Sequence, residues 1–482
     1  MFIEMLFEMQ RGGDEVRRKR STLLAIPGSS SSSHPLFFTF PPLLFLTAFT
    51  AHAQAPLDAY IAQGLTQNVV LQQKHIGLEQ AMQDLKSARS LFLPSLNLNA
   101  SYISGEGGRY FDFPVGDLVN PVYRTLNQFI GQNAFPEVEN VQAYLNPKNY
   151  YDAHVRASMP LLNTDIVHNQ RIQQHAVHLK EYEVAIYQRE LVKDIKVAYF
   201  NVLMAGEAVR SYTSALQLLE RNVEVTRSLQ RHGAGVPAQV LRAQAEREHI
   251  TAQLAQATNQ HANAKRWFNF LLNTDLEAPV DEDFDVSAAL ADTARMADLD
   301  IGRREELQAL RTAVGLRDAQ TKLTNNYWVP KLSTFIDIGY QGMDWTVDEY
   351  ADYYLFGVQL DVPLFNGGRN RFAKNRATLE RDIAALSERN STQQLLLGAT
   401  QAHTELATAQ AVLRSATARH TSATSYFNLI EKGFNEGANT QVEYLDARNQ
   451  LTGADVQLAV ARTTVLQRLA EMERQNASYP LK

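Results

Sequence analysis

One unit of sequence occurs twice in this chain, in the same order, and this limits the possible folds more than any single motif does. Leu93-Pro94-Ser95-Leu96 recurs as Val329-Pro330-Lys331-Leu332. Met159-Pro160-Leu161-Leu162-Asn163 recurs as Val362-Pro363-Leu364-Phe365-Asn366. The stretch from Gly235 through Gln239-Val240 to Ala245 recurs without a gap from Gly437 through Gln441-Val442 to Ala447. The chain therefore reads as a tandem duplication of a strand–strand–helix–helix unit. Its length of 482 residues would otherwise suggest several independent domains.

Four segments alternate between apolar and polar residues: Ser95–Ile103, Asp152–Leu161, Lys331–Tyr340 and Tyr354–Val362. In the first, Leu96, Leu98, Ala100 and Tyr102 oppose Ser95, Asn97, Asn99 and Ser101. Successive side chains on a strand point to opposite faces, so each segment has one apolar side. Each has the length of a tilted strand that crosses a bilayer, and Tyr102, Tyr340 and Tyr354 lie where interface aromatics sit. Alternation alone fits the half-buried strands of a soluble sheet equally well. A membrane sheet leaves no edge unpaired and four strands do not close, so the membrane reading requires several chains. The loop between the first two strands, about 104–151, is longer than its counterpart and rich in Tyr, Phe, Asn, Gly and Pro.

The helical segments point the same way. Proline is absent and glycine almost absent from about Asn163 to Arg231 and from about Arg369 to Lys432. An unbroken helix of ~65 residues is roughly 100 Å long, several times the hydrocarbon thickness of a bilayer. Val202, Ala205, Val209, Tyr212, Leu216, Leu219, Val223 and Thr226 follow alternating three- and four-residue steps. Leu406, Ala409, Leu413, Ala416, His420, Ala423, Phe427 and Ile430 do the same. This spacing predicts coiled-coil packing. Each long helix ends at glycines, Gly233 and Gly235 in one unit and Gly433 and Gly437 in the other. The returning helices run to about Leu272 and about Gln475, and Thr440 to Glu443 has the form of a capping box.

The N-terminal lead, residues 1–55, carries a basic cluster at Arg17–Arg20, an apolar run from Leu36 to Phe49, and small-x-small patterns at Ala51–Ala55. This layout reads as a secretory signal. The chain has no cysteine, which excludes disulfides, thiolate metal sites and thiol catalysis. A formal charge of -6 without a basic stripe gives no reason to expect nucleic acid as a partner. Catalytic triad order, a phosphate loop and a dinucleotide fingerprint are absent, so the expectation is no enzyme and no cofactor. His168, His175 and His178 lie close along one helix, and they read as hydrated or intermonomer positions rather than a metal site.

Taken together, the duplication, Pro363-Leu-Phe-Asn-Gly-Gly-Arg369 and the stretch Gly437…Leu445-Asp446-Ala447 resemble the TolC-type outer-membrane efflux proteins of Gram-negative bacteria. The resemblance runs from about Pro56 to Gln475. It implies a mainly α fold with membrane β: a homotrimer in which four strands per chain build a twelve-stranded outer-membrane barrel, continued by a coiled-coil tunnel through the periplasm. The first repeat would span 56–299, with strands at about 95–104 and 152–162, a helical hairpin at 163–272 and an acidic equatorial segment at 273–299. The second would span 300–482, with strands at 331–340 and 353–363 and a hairpin at 368–475.

The family's function implies a passive exit duct for tripartite efflux or type I secretion, serving a periplasmic adaptor and an inner-membrane transporter. Acidic residues just past the second tip ring the family's entrance, and the matching positions here are Glu443 and Asp446. They share a helix face, although Glu443 also suits a local capping role. The residues that hold the entrance shut in the best-known pattern are a tyrosine, an arginine and an aspartate. They match Phe434, Asn439 and Leu241, so closure here is expected to rest on apolar packing of Phe434 and Leu241. The four tip glycines would lie where the adaptor and transporter make contact. The alternative reading is an exported coiled-coil scaffold that never inserts, to which an apolar strand face would be useless.

Overall fold

The structure, a computed structural model, describes residues 55–481 apart from 147, 292–300 and 347–348. The expected leader at 1–55 therefore lies almost wholly outside the described residues, as do the end of the acidic segment and the repeat boundary at 299–300. Helices α1 (Ala55–Gln67) and α2 (Val69–Ser90) lead into strand β1 (Ser95–Ile103). An insertion follows, with β2 (Tyr110–Phe113), α3 (Val115–Ile130) and β3 (Val141–Tyr144). Then come β4 (Tyr150–Leu162), the long helix α4 (Thr164–Arg231) and the returning α5 (Pro237–Leu272). After the short α6 (Val286–Ala291), the pattern repeats with α7 (Glu305–Asn325), β5 (Lys331–Met343), β6 (Asp352–Asp361), α8 (Arg369–Asn435) and α9 (Gln441–Gln475).

β1, β4, β5 and β6 form one antiparallel sheet in that order, with β4 and β5 paired at its centre. The register places Leu98, Val155, Ile338 and Tyr354 side by side, and on the other face Asn97, Arg156, Asp337 and Leu355. The sheet is inside out relative to a water-soluble one. Leu98 is 76% exposed and Ile338 61%, whereas Asp337 is 2% exposed. Arg156 donates to both carboxylate oxygens of Asp337 at 2.7 Å, and Tyr353 donates to Asp152 at 2.9 Å. Soluble proteins rarely expose a contiguous apolar face of this size. Among the described residues, β1 and β6 have a neighbour on one side only.

The helices extend from the end of the sheet at which β4 ends and β5 begins. Asn163 caps α4 by accepting from the Asp165 amide at 3.1 Å. At 68 residues α4 is about 100 Å long, and among the described residues no helix is long and apolar enough to cross a membrane. The heptad seams are buried or half-buried throughout, with Val202, Leu219, Val223 and Phe427 among the innermost. Burial of each such side chain contributes about 1.5–3 kcal/mol. A core midway along α4 joins Ile61, Ile195, Tyr199, Phe268 and Leu272. Here the acidic segment is held in part by its backbone: Tyr199 donates to the Asp281 carbonyl and the Asp281 amide donates to the Tyr60 hydroxyl, both at 2.9 Å.

Candidate functional site

The two hairpin tips are built from the same backbone motif. At the first, the Gly233 amide donates to the Gln230 carbonyl at 3.1 Å and the Ala234 amide to the Leu229 carbonyl at 2.9 Å. At the second, Gly437 donates to Phe434 at 3.1 Å and Ala438 to Gly433 at 2.8 Å. These are Schellman closures, which need a residue in the left-handed region just past the helix. Gly233 (φ +73°) and Gly437 (φ +79°) supply it. Gly437→Val should therefore lower the unfolding midpoint of the purified protein, at a cost of about 1–2 kcal/mol from backbone strain. A thermal melt at neutral pH checks this. Gly235 lies against the Leu229–Gln230 backbone, and a Cβ on Gly433 would collide with the Asn439 side chain.

The second tip continues as a full capping box. Glu443 accepts from the Thr440 amide at 2.7 Å and the Thr440 hydroxyl at 2.9 Å, while its own amide donates to the Thr440 hydroxyl at 3.3 Å. The backbone N–H of Thr440, its hydroxyl and the Asn439 amide hold the Glu443 carboxyl below its ordinary pKa. Asp446, one turn on and also exposed, accepts from Gln450 of its own helix at 2.7 Å. The two carboxylates are thus both at the surface of the tip, but Glu443 is already engaged by the local cap.

Phe434 packs within its own hairpin, and Leu241 lies at the surface of the other. Phe434 stacks on Tyr444 with ring centroids 4.8 Å apart, and Tyr444 in turn meets Phe427 at 5.7 Å. Leu241 remains 67% exposed. Asn439 serves the cap through Glu443 at 3.4 Å.

Sequence reasoning missed the residue that ties the hairpins together. Gln441 is buried, and its Nε2 lies 3.2 Å from Asn222 Oδ1, 3.3 Å from Thr226 Oγ1 and 3.1 Å from the Gln239 carbonyl oxygen. It therefore links α9 to α4 and to the start of α5. Its counterpart in the first unit, Gln239, only caps its own helix through the Val236 amide at 3.3 Å. The available signal was a polar residue kept within an apolar tip motif. Close by, Arg448 is buried with its guanidinium 5.4 Å from the Phe427 ring centroid, and burial lowers its pKa.

The three helix histidines go to separate neighbours. His168 meets Asn326 at 2.7 Å, His175 lies against Gly315 of α7, and His178 meets Glu181 at 2.8 Å. Burial lowers the pKa of both His168 and His175.

The family model described as outer membrane efflux protein matches residues 60–274 and 298–474. The chain is similar to the alkaline protease secretion protein AprF of Pseudomonas aeruginosa, 24% identical over 288 residues that cover 57% of this chain and 58% of that protein. It is also similar to the outer membrane protein TolC of Salmonella enteritidis, 24% identical over 439 residues that cover 88% of this chain and 82% of that one. Among solved structures, the Campylobacter jejuni CmeC outer membrane channel superposes with a TM-score of 0.70 at 16% identity, covering 95% of this chain and 94% of the other. At that identity the superposition speaks to fold alone.

Proposed function

The chain belongs to the outer membrane efflux protein family, and on that premise we propose that it is the outer-membrane exit duct of an efflux or type I secretion system. The inside-out sheet carries the proposal. A face bearing Leu98, Ile338 and Phe356 in the open suits lipid, and the opposite face bearing Arg156 and Asp337 suits a wet lumen. In this reading three chains pair β1 of one with β6 of the next, which closes a twelve-stranded barrel and leaves no edge in the bilayer. The two repeats, 56–299 and 300–482, each supply two strands and one helical hairpin. The duct does no chemistry. An inner-membrane transporter supplies the energy, and an adaptor meets the tips around Gly233, Gly235, Gly433 and Gly437.

At the inner end we assign the cation-attracting role to Asp446 and Glu443, both exposed at the second tip, with the cap keeping the Glu443 carboxyl ionised. Three copies of each about one axis would concentrate cations at the entrance. Phe434 and Leu241 then seal the entrance across chain boundaries, since Leu241 has its apolar surface free within its own chain.

The deciding experiment is the mass of the species that detergent extracts from purified outer membranes. A trimer supports the duct. A monomer, or release without detergent, would replace it with an exported scaffold. In single-channel recordings of the trimer, Asp446→Asn and Glu443→Gln should each reduce cation selectivity severalfold. Unchanged selectivity in both would overturn the assignment.

A further inference from the structure

The insertion between β1 and β4 is folded with its polar side inward. Its root is the last rung of the β1–β4 ladder, where Ile103 pairs with Tyr150, at the end of the sheet away from the long helices. Asn120 of α3 donates to the Val138 carbonyl at 2.9 Å and accepts from the Val138 amide at 2.8 Å. Asn127, two turns along, makes the same pair of bonds with Phe135 at 2.7 and 2.9 Å. Two side-chain amides thus act as surrogate strand partners for the returning backbone. Gly116 completes this face and lies so close to the Val138 carbonyl that no side chain fits there.

The consequence is that α3 turns its apolar side out. Leu118, Val122, Leu126 and Phe129 share one stripe, with Leu118 72% and Phe129 85% exposed. On the adjoining β2–β3 ribbon, Phe111 and Phe113 are exposed as well. A helix of this pattern ordinarily buries such a stripe.

Two occupants compete for it, a lipid surface and another copy of the chain. A helix that lies in a membrane interface presents a polar face rich in Lys and Arg to the headgroups. In α3 the polar face is consumed by its own loop, and its one basic residue, Arg124, already pairs with Glu137 at 3.3 Å. The second occupant fits the topology. The insertion grows from β1, which is an edge strand of the sheet, and an edge strand sits at the boundary between copies once the barrel closes.

We propose that the apolar stripe of α3 docks on the neighbouring copy of the same chain, forming a collar beyond the outer mouth of the barrel. This rests on the trimeric duct proposed above. The collar makes the long first loop an assembly element and gives its aromatic residues a use.

The chain has no cysteine, so single substitutions report cleanly. Val122→Cys and Phe129→Cys would be placed on the stripe and Arg124→Cys on the other side of α3. Each is purified from outer membranes, its native mass is read, and it is treated with a monofunctional maleimide before and after the trimer is dissociated in denaturant. Expected is labelling of the stripe positions in the trimer about tenfold or more slower than of Arg124→Cys, a difference lost on dissociation, because the neighbouring copy covers the stripe through a heterologous contact. Phe129 is almost wholly exposed, so its replacement keeps the proposal testable should Val122→Cys not assemble. An intact trimer whose stripe positions label as fast as Arg124→Cys, or with a bimane on Phe129→Cys quenched by brominated lipid, overturns the collar alone. A monomer in the native mass overturns the trimeric duct and the collar with it.

Discussion

Replacing Glu306 by glutamine should destabilise the protein by about 3 kcal/mol at neutral pH and flatten its response to acid. Glu306 lies in the first turn of α7, where it accepts from Arg304 at 2.9 Å and from Arg474, in the last turn of α9, at 2.6 Å. Both arginine side chains are at least nine-tenths buried. Arg474 also donates to Glu190 of α4 at 2.8 Å, so one cluster locks three helices together, with an acid at a helix start and a base at a helix end as the dipoles favour. Burial by itself would raise the Glu306 pKa. The Arg304 hydrogen bond and the Arg474 charge overcome it and hold the carboxyl at about 2.

The sign follows from linkage. A folded pKa below the unfolded one gives stability that is fully present above the unfolded value, near 4.5, and is lost as pH falls from there toward 2. A shift of that size corresponds to about 3 kcal/mol. Denaturation midpoints of the purified protein between pH 7 and pH 2.5 test this. The wild type should weaken steeply below pH 4.5, while Glu306→Gln should start lower and fall less over the same window. Parallel curves would show that the cluster does not hold the helices.

Elements governed by repetition were legible in the sequence; those governed by long-range contact were not. Alternation alone marked β1, β4, β5 and β6, because a strand with two different faces writes period two into its residues. The seams of α4 and α8 were readable for the same reason at period three-and-a-half. α1, α2 and α7 escaped notice because they are shorter helices without a sustained heptad, α1 and α2 packing on α4 and α7 on both α4 and α8. α3 escaped because its face is sorted backwards, with Asn120 and Asn127 inward and Phe129 outward, so the segment reads as a polar-aromatic loop. At the tips, the glycines announced the turns, and Thr440 with Glu443 announced the cap. Glu443 could not be divided between cap and pore from sequence, because both roles ask for an acid at the third helical position. The split between Gln239 and Gln441 was invisible for a stronger reason. The two residues are identical and occupy equivalent places, and only the proximity of Asn222 and Thr226 gives one of them three partners.

That asymmetry yields the second large prediction: Gln441→Leu should open the inner end of the duct, whereas Gln239→Leu should leave it nearly unchanged. Leucine fills a similar volume, so the buried site between α4 and α9 stays filled. What is lost is the buried amide that joins α9 to α4 and to the Gln239 carbonyl. Leaving those acceptors without a donor costs about 1–3 kcal/mol. In the proposed duct, a widening that shifts the second hairpin relative to the first breaks these bonds in the wild type. Removing them lowers the cost of opening, and a difference of about 2 kcal/mol corresponds to roughly a thirtyfold shift in an equilibrium between closed and open tips. Resting conductance in planar bilayers is the direct readout, with the native mass confirming the assembly. Gln239 contributes only its carbonyl to the tie, and its side chain serves the α5 cap, so its substitution is an internal control at the matching sequence position. Equal conductance changes in the two variants would mean that the tips are held by apolar contact across chains, and Phe434 with Leu241 would then carry the closure alone.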